Sequence, residues 1–278
     1  MWRCRAWSTP SWNPSGAIVW PISTSRPRPI VFGAASVRPL DPALLAAVDL
    51  RPPVRRGDLL PLLDGGPGTV VLVDGLFGGT MAVTPTECRQ LLDAGWTVVG
   101  CSSMGALRAA DLWPLGAIGI GDIFTLYRLG TLTSDADVAV ALDPDDGHRE
   151  VTVCTVHVRA VLAAAVEAGL IAPAQRSRLA RAAEGIHWSQ RSWTACRAVW
   201  SELGVAPTVL SSLLRLGREP RLHPKVRDAE TCLRAVLAGD WLGDGATDTR
   251  RCPACQEPLT AGMLFCSVCV SEAHETCL

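Results

Sequence analysis

The sequence predicts an α/β fold: a mostly parallel sheet core flanked by helices, a helical C-terminal half, and a small Cys4 zinc ribbon. Three observations predict it. Short β-branched bursts alternate with helical stretches between residues 29 and 128, as suits strands buried on both faces and joined by crossover helices. From about Asp122 onward, apolar residues recur at helical spacing. Two Cys-x-x-Cys pairs then follow a Gly/Asp/Thr-rich linker at 239–249.

Residues 1–28 are rich in Trp, Pro, Ser and Arg without periodicity, and are set aside as a disordered extension. The core is expected over 29–238. Its first strand is Pro29–Gly33, a short apolar run ending in glycine. A helix over 41–48 follows, with Asp41 as N-cap and Pro42 at the first position. Residues 51–58 read as a stiff basic loop, and 58–63 as the start of a short helix. Thr69–Asp74 is the clearest strand. Thr84-Pro-Thr-Glu87 opens the next helix with a capping box. Trp96–Gly100 is a third strand, and Met104–Leu112 a helix. Helical patterns then cover 122–128, 153–170, 174–184, 191–203 and 228–237, with an acidic loop or hairpin at 135–149.

The chain has 278 residues and 48% hydrophobic composition, enough for one good core and a small appendage. Net charge is −1 and the isoelectric point about 6.5, so no strong pull toward nucleic acid or anionic membranes follows. No apolar run approaches the roughly 20 residues of a membrane span. The N-terminus lacks the uninterrupted apolar segment of a signal peptide. A cytoplasmic protein with eleven reduced or metal-bound cysteines is therefore expected.

Cys252-Pro-Ala-Cys255 and Cys266-Ser-Val-Cys269 stand ten residues apart at 250–278. Each two-residue gap lets one turn present two thiolates, and a short hairpin brings the pairs onto one tetrahedral zinc. With four protein ligands the zinc is structural, and it supplies most of the folding energy of so small a module. Arg250 and Arg251 without aromatics make nucleic-acid binding a poor fit.

Gly100-Cys-Ser-Ser-Met-Gly105 links a strand to a helix. Small residues there permit a sharp turn that exposes Ser103 and aims helical N–H groups above it, as in a nucleophile elbow. The alternative is an ordinary helix-capping serine. Cys101 is a second candidate, as a thiol near a helix N-terminus. A serine nucleophile needs a base. His148, His157, His187 and His223 are available, and so is Lys225, the chain's sole lysine.

These residues resemble the TfuA family. The similarity is carried by Val31-Phe-Gly, Pro52–Leu59, Val73-Asp-Gly-Leu-Phe77, Ala82–Glu87 and, above all, Gly100–Leu112; Gly121–Arg128, Asp137–Val140 and Lys225–Glu230 continue it. The resemblance implies an accessory of YcaO-type cyclodehydratases in thioamide formation on ribosomally made precursor peptides. It implies hydrolysis of a thiocarboxylated ubiquitin-like sulfur carrier by a Ser–Lys pair, Ser103 and Lys225, with ATP used by the partner and not by this chain. A non-catalytic scaffold for the YcaO enzyme and its peptide is the alternative. On this reading a neutral Lys225 takes the serine proton. Ser102 lines the turn, and the Met104 and Gly105 N–H groups hold the oxyanion. Arg108 balances the anionic substrate or clamps the turn. Asp74 and Glu87 line the site or pin loops. Cys101 stands where the family usually has Ala or Ser, Asp111 where Glu is common, and the ribbon lies outside the core pattern.

Overall fold

The computed structural model describes residues 11–12, 18–19, 27–78 and 81–239. The zinc-ribbon cysteines, nearly all of the linker and most of the 1–28 extension lie outside the described residues. Within that extension, β1 (Ser11–Trp12) and β2 (Ile18–Val19) form an antiparallel pair.

The core is a five-stranded, all-parallel sheet made of β3 (Ile30–Phe32), β4 (Asp49–Arg51), β5 (Thr69–Leu72), β6 (Thr97–Cys101) and β7 (Ile118–Ile120). Its spatial order is β4-β3-β5-β6-β7. The chain winds outward from β3 to β4, then crosses back to β5 on the other side. Parallel sheets place ligand crevices beyond the strand C-termini at such a reversal.

Side-chain alternation assigns the two faces. Val31, Val71, Val99 and Cys101 face one way and pack under Val226, Ala229, Cys232 and Leu233 of the last helix, α9 (Pro224–Ala238). Phe32, Val70, Leu72 and Val98 face the other way. They pack on Cys88 and Leu91 of α2 (Pro85–Asp93) and on Met104 and Leu112 of α3 (Met104–Leu112). The short α1 (Pro42–Ala46) joins β3 to β4 with Asp41 as its cap, as expected. Thr84 and Glu87 form the expected capping box on α2.

After β7 the chain is mostly helical. Ala106 and Ala109 of α3 pack with Ile123 and Phe124 of α4 (Asp122–Arg128). The cap of α4 is not local: the buried Asp228 of α9 accepts the Asp122 and Ile123 N–H groups at 3.0 and 2.9 Å. Gly121, at φ +107°, has no room for a side chain there, because a Cβ would meet Asp228 Cγ at 2.4 Å. The acidic segment resolves as a hairpin of β8 (Leu142–Asp143) and β9 (Arg149–Glu150). Helices α5 (Thr155–Glu167), α6 (Pro173–Glu184), α7 (Trp193–Glu202) and α8 (Pro207–Leu216) then enclose their own core around Trp200, Leu162, Leu179 and Leu213.

Several elements differ from the sequence expectation. β4 and β7 have three residues each. β4 alternates around polar Asp49 and Arg51, and β7 carries Gly119, whose missing Cβ admits the Phe124 ring. Neither makes a strong apolar run. α8 is a separate helix, and α9 begins at Pro224 and not at Asp228. That earlier start puts Lys225 in a helical first turn. No described helix is long and apolar enough to cross a membrane.

Candidate active site at the Ser103 turn

The turn from β6 to α3 is forced by close backbone packing. A Cβ on Gly100 would lie 2.1 Å from the Gly105 oxygen, and one on Gly105 would lie 1.7 Å from the Leu72 oxygen. Only glycine permits this approach of α3 to β5 and β6. Between them Ser102 adopts φ +68°, a left-handed conformation uncommon for a residue with a side chain. Ser103 follows as the N-cap of α3, with φ −112° and ψ −114°.

Ser103 does not cap with its side chain. It is 3% exposed, and its Oγ makes no hydrogen bond among the described residues. The capping alternative therefore fails, and the hydroxyl is left available. The expected oxyanion donors divide. Gly105 N–H is committed to Val73 O at 3.3 Å, alongside Ser103 N–H at 3.2 Å. The correction is that Gly105 is not a free donor. Met104 N–H, at the first helical position, has no partner among the described residues. Ser102 serves as a tie: its Oγ donates to the Lys225 carbonyl oxygen at 2.9 Å.

Lys225 is brought to the same place but not in the expected state. Its side chain is 1% exposed, and Nζ lies 3.0 Å from Glu150 Oε1 on the hairpin. Burial opposes the charge, but Cys154, Glu150 and Asp74 around it outweigh burial and hold the ammonium above the ordinary lysine range. A neutral resting lysine is therefore replaced by an ion pair, and no hydrogen bond joins Nζ to Ser103 Oγ. Burial likewise opposes ionisation of Glu150, yet Lys225 and His223 hold that carboxyl far below its usual range.

Glu150 also meets His223 Nε2 at 3.1 Å, and the His223 ring lies 4.0 Å from that of His157. His157 Nε2 and His223 Nδ1 are buried without partners among the described residues. Burial and the nearby His223 push the His157 pKa well below the usual imidazole value. Of the four candidate histidines, these two join the lysine cluster. His148 lies at the hairpin turn with φ +59°, and His187 pairs with Ser189. Sequence reasoning missed Glu150, whose signal was only a lone acid at the end of an acidic segment.

The remaining expected site residues act mainly as braces. Asp74 accepts the Ala34 and Ser36 N–H groups at 2.8 and 3.0 Å and the Ser36 hydroxyl at 2.6 Å, bridging the ends of β3 and β5. Glu87 accepts Gly57 N–H at 2.6 Å besides its capping contacts with Thr84. Arg108 donates to Val83 O at 2.8 Å and pairs with Asp111 at 2.7 Å, which clamps the α2 approach. Cys101 is fully buried beneath α9 beside Cys232; burial and that neighbour raise its thiol pKa well above normal, so it is no nucleophile. A cavity of about 370 Å³ is lined by Ala35, Arg38, Glu150, His157, Arg218 and His223 among others, and not by Lys225 or Ser103. No group of three or more metal-binding side chains occurs among the described residues.

Residues 74–192 match the family of TfuA-like proteins. The match covers about two fifths of the chain. No curated protein matches it. The match to the TfuA-like family begins at Asp74 and takes in the serine turn, Glu87, Arg108, Glu150 and His157. It leaves out everything before Asp74, with β3, β4 and β5, and everything after Ser192, with α7, α8 and α9. Lys225 and His223 lie beyond the matched stretch, in and beside the first turn of α9.

Proposed function

We propose that this protein hydrolyses the thiocarboxylated C-terminus of a ubiquitin-like sulfur carrier. The sulfide goes to a YcaO-type cyclodehydratase that thioamidates a precursor peptide in ribosomal peptide natural-product biosynthesis. The observation that carries this reading is the unspent hydroxyl of Ser103, held at a strained strand-to-helix turn at the C-terminal end of a parallel sheet. Ser103 Oγ attacks the thiocarboxylate carbon, and Met104 N–H receives the oxygen that becomes negative. The carbon–sulfur bond breaks, sulfide leaves and an acyl-serine ester remains. Water then cleaves the ester, so thiocarboxylate and water become carboxylate and hydrogen sulfide.

Lys225 starts as an ammonium and steadies the anionic substrate. It accepts the serine proton only in a neutral form, reached when its 3.0 Å ion pair with Glu150 opens and the ammonium proton passes to water. ATP use belongs to the YcaO partner, and the setting is cytoplasmic. Cys252, Cys255, Cys266 and Cys269 hold one structural Zn²⁺, a small docking module for the partner or peptide.

The test is sulfide release from a thiocarboxylated carrier. Ser103→Ala abolishes release while leaving the circular dichroism spectrum unchanged; undiminished release would sink the mechanism. A second reading, a scaffold without catalysis, is favoured by one observation: the ion pair keeps Lys225 out of its basic form. Partner capture by the wild-type chain together with no release above buffer would select it.

A further inference from the structure

We infer that His223 is a positioning residue for Lys225: the proton that His223 gains or loses decides, through the shared carboxylate of Glu150, how firmly the Lys225 ammonium is held. The inference concerns regulation of the proposed site. Its consequence for sulfide release rests on the proposed function, while the coupling itself does not.

A carboxylate has two oxygens, and Glu150 divides them. Oε1 faces Lys225 Nζ at 3.0 Å, and Oε2 faces His223 Nε2 at 3.1 Å. No other acceptor meets Nζ among the described residues, so the hold on the ammonium depends on this one side chain. Lys225 and His223 keep Glu150 ionised far below the usual carboxyl range, so it stays an anion near neutral pH. A neutral His223 donates one N–H to Glu150 and leaves the full negative charge to Lys225. A protonated His223 sets a second cation on the same carboxylate, and the net attraction on Lys225 falls. Groups linked in this way shift each other reciprocally.

Imidazole is the side chain that ordinarily changes charge near neutral pH, and two of them stack here. The His157 and His223 ring centroids are 4.0 Å apart with the planes tilted by 34°. Two imidazolium ions so close repel each other, so the stack takes up one proton. Glu150 directs that proton to His223, the ring it touches. His157 is 4% exposed and is kept neutral by burial and by His223. His223 Nδ1 has no partner among the described residues, so neither the neutral nor the charged ring is locked in place.

The cluster is open at one end only. His223, His157 and Glu150 line the cavity of about 370 Å³, and Lys225 does not. The His223 and Glu150 side chains keep 14% and 16% of their surface exposed, against 1% for Lys225. Solvent protons thus reach the imidazole end, and the carboxylate carries their effect inward. The other charges around the ring are engaged elsewhere. Arg38 and Arg149 pair with Asp146, and Glu219 faces Arg221. Arg218 lines the cavity but is exposed. Cys154 of α5 and Asp74 act on the Lys225 end. None of these side chains hydrogen-bonds the His223 ring.

Lys225 is the chain's sole lysine, so full-length protein made with isotope-labelled lysine gives a single side-chain ammonium signal in nuclear magnetic resonance. Between about pH 5 and 8 that signal is expected to step with the same midpoint as the His223 ring, as the ammonium comes to release its proton about tenfold more readily. His223→Gln keeps an N–H for Glu150 but cannot change charge, and its lysine signal should stay flat. His157→Gln should keep the step. A wild-type signal that does not move with His223 would overturn the inference whether or not the variants fold, and so would a step that survives in folded His223→Gln. Across the step, release of sulfide from the thiocarboxylated carrier should fall about tenfold less in the wild type than in His223→Gln as the pH drops. A step without any release supports the coupling and counts against hydrolysis alone. Release without a step counts against the coupling alone.

Discussion

Ser102 Oγ donates a 2.9 Å hydrogen bond to the carbonyl oxygen of Lys225, joining the serine turn to the first turn of α9. Two adjacent serines therefore divide the work. Ser102 carries the left-handed backbone and the tie to the helix, while Ser103 keeps an unbonded hydroxyl.

That division predicts an ordering of variants. Ser102→Ala loses the hydrogen bond and keeps the strained φ of +68°. Ser102→Gly loses the same bond but relieves the backbone. The Ala variant should lose about 2 kcal/mol of stability, and the Gly variant about 1 kcal/mol less than that. Urea unfolding of the two variants checks the order; an Ala variant as stable as the Gly variant would show the turn to be unstrained.

Gly105 should tolerate nothing larger. A Cβ there would sit 1.7 Å from the backbone oxygen of Leu72, which cannot rotate away. Gly105→Ala must push α3 off β5, and a loss of more than about 3 kcal/mol is expected. Low soluble yield and a lowered melting temperature are the readouts. Wild-type stability would mean the helix is free to slide.

Two buried groups should bend the pH profile of stability in opposite directions. Burial pushes the Asp228 carboxyl up to about 7, only partly offset by the N–H groups of Ile123 and Asp122. The folded chain then keeps a proton that the unfolded chain releases near pH 4, so this contribution falls as pH rises from about 4 to about 7. His157 is depressed well below its ordinary value, so the unfolded chain takes up its proton first. Its contribution is complete above about pH 6.5 and falls as the solution becomes more acidic. Between pH 5 and 7, Asp228→Asn should make stability rise more steeply with pH, and His157→Gln should flatten it. Denaturant titrations at pH 5, 6 and 7 separate the two; parallel curves would refute both assignments.

The C-terminal cysteines predict one zinc per chain in freshly reduced protein. The cysteines among the described residues that are free, Cys88, Cys101, Cys154, Cys196 and Cys232, are all buried and do not supply it. Cys255→Ser and Cys269→Ser should each bring the metal content toward zero while the far-ultraviolet helical signal stays close to wild type. Elemental analysis decides, and zinc-free wild-type protein would remove the ribbon.

Much of the sheet was legible because its strands are dense in buried β-branched residues: Thr69–Leu72 and Thr97–Cys101 announce themselves. The capping box at Thr84 and Glu87 was legible because it is local chemistry. β4 and β7 were not, since three residues with a polar alternation or a central glycine carry no periodic signal. Within the site, the turn at Ser103 could be read from its small residues. The ionisation of Lys225 could not, because it depends on a carboxylate 75 residues away on a two-residue strand. Gly105 was misassigned for a related reason: a helix N-terminus offers several free N–H groups, and only tertiary packing decides that Val73 takes this one.

The cap of α4 by Asp228 and the bond from Ser102 to Lys225 have a consequence for how the molecule is made. Both ties come from the last described helix, and the serine tie closes a loop of 123 residues. Contacts so far apart in sequence form late, because loop closure must precede any gain from them. In a nascent chain the serine segment is made long before its lysine arrives, so the meeting of Ser102, Ser103 and Lys225 waits for α9 to dock.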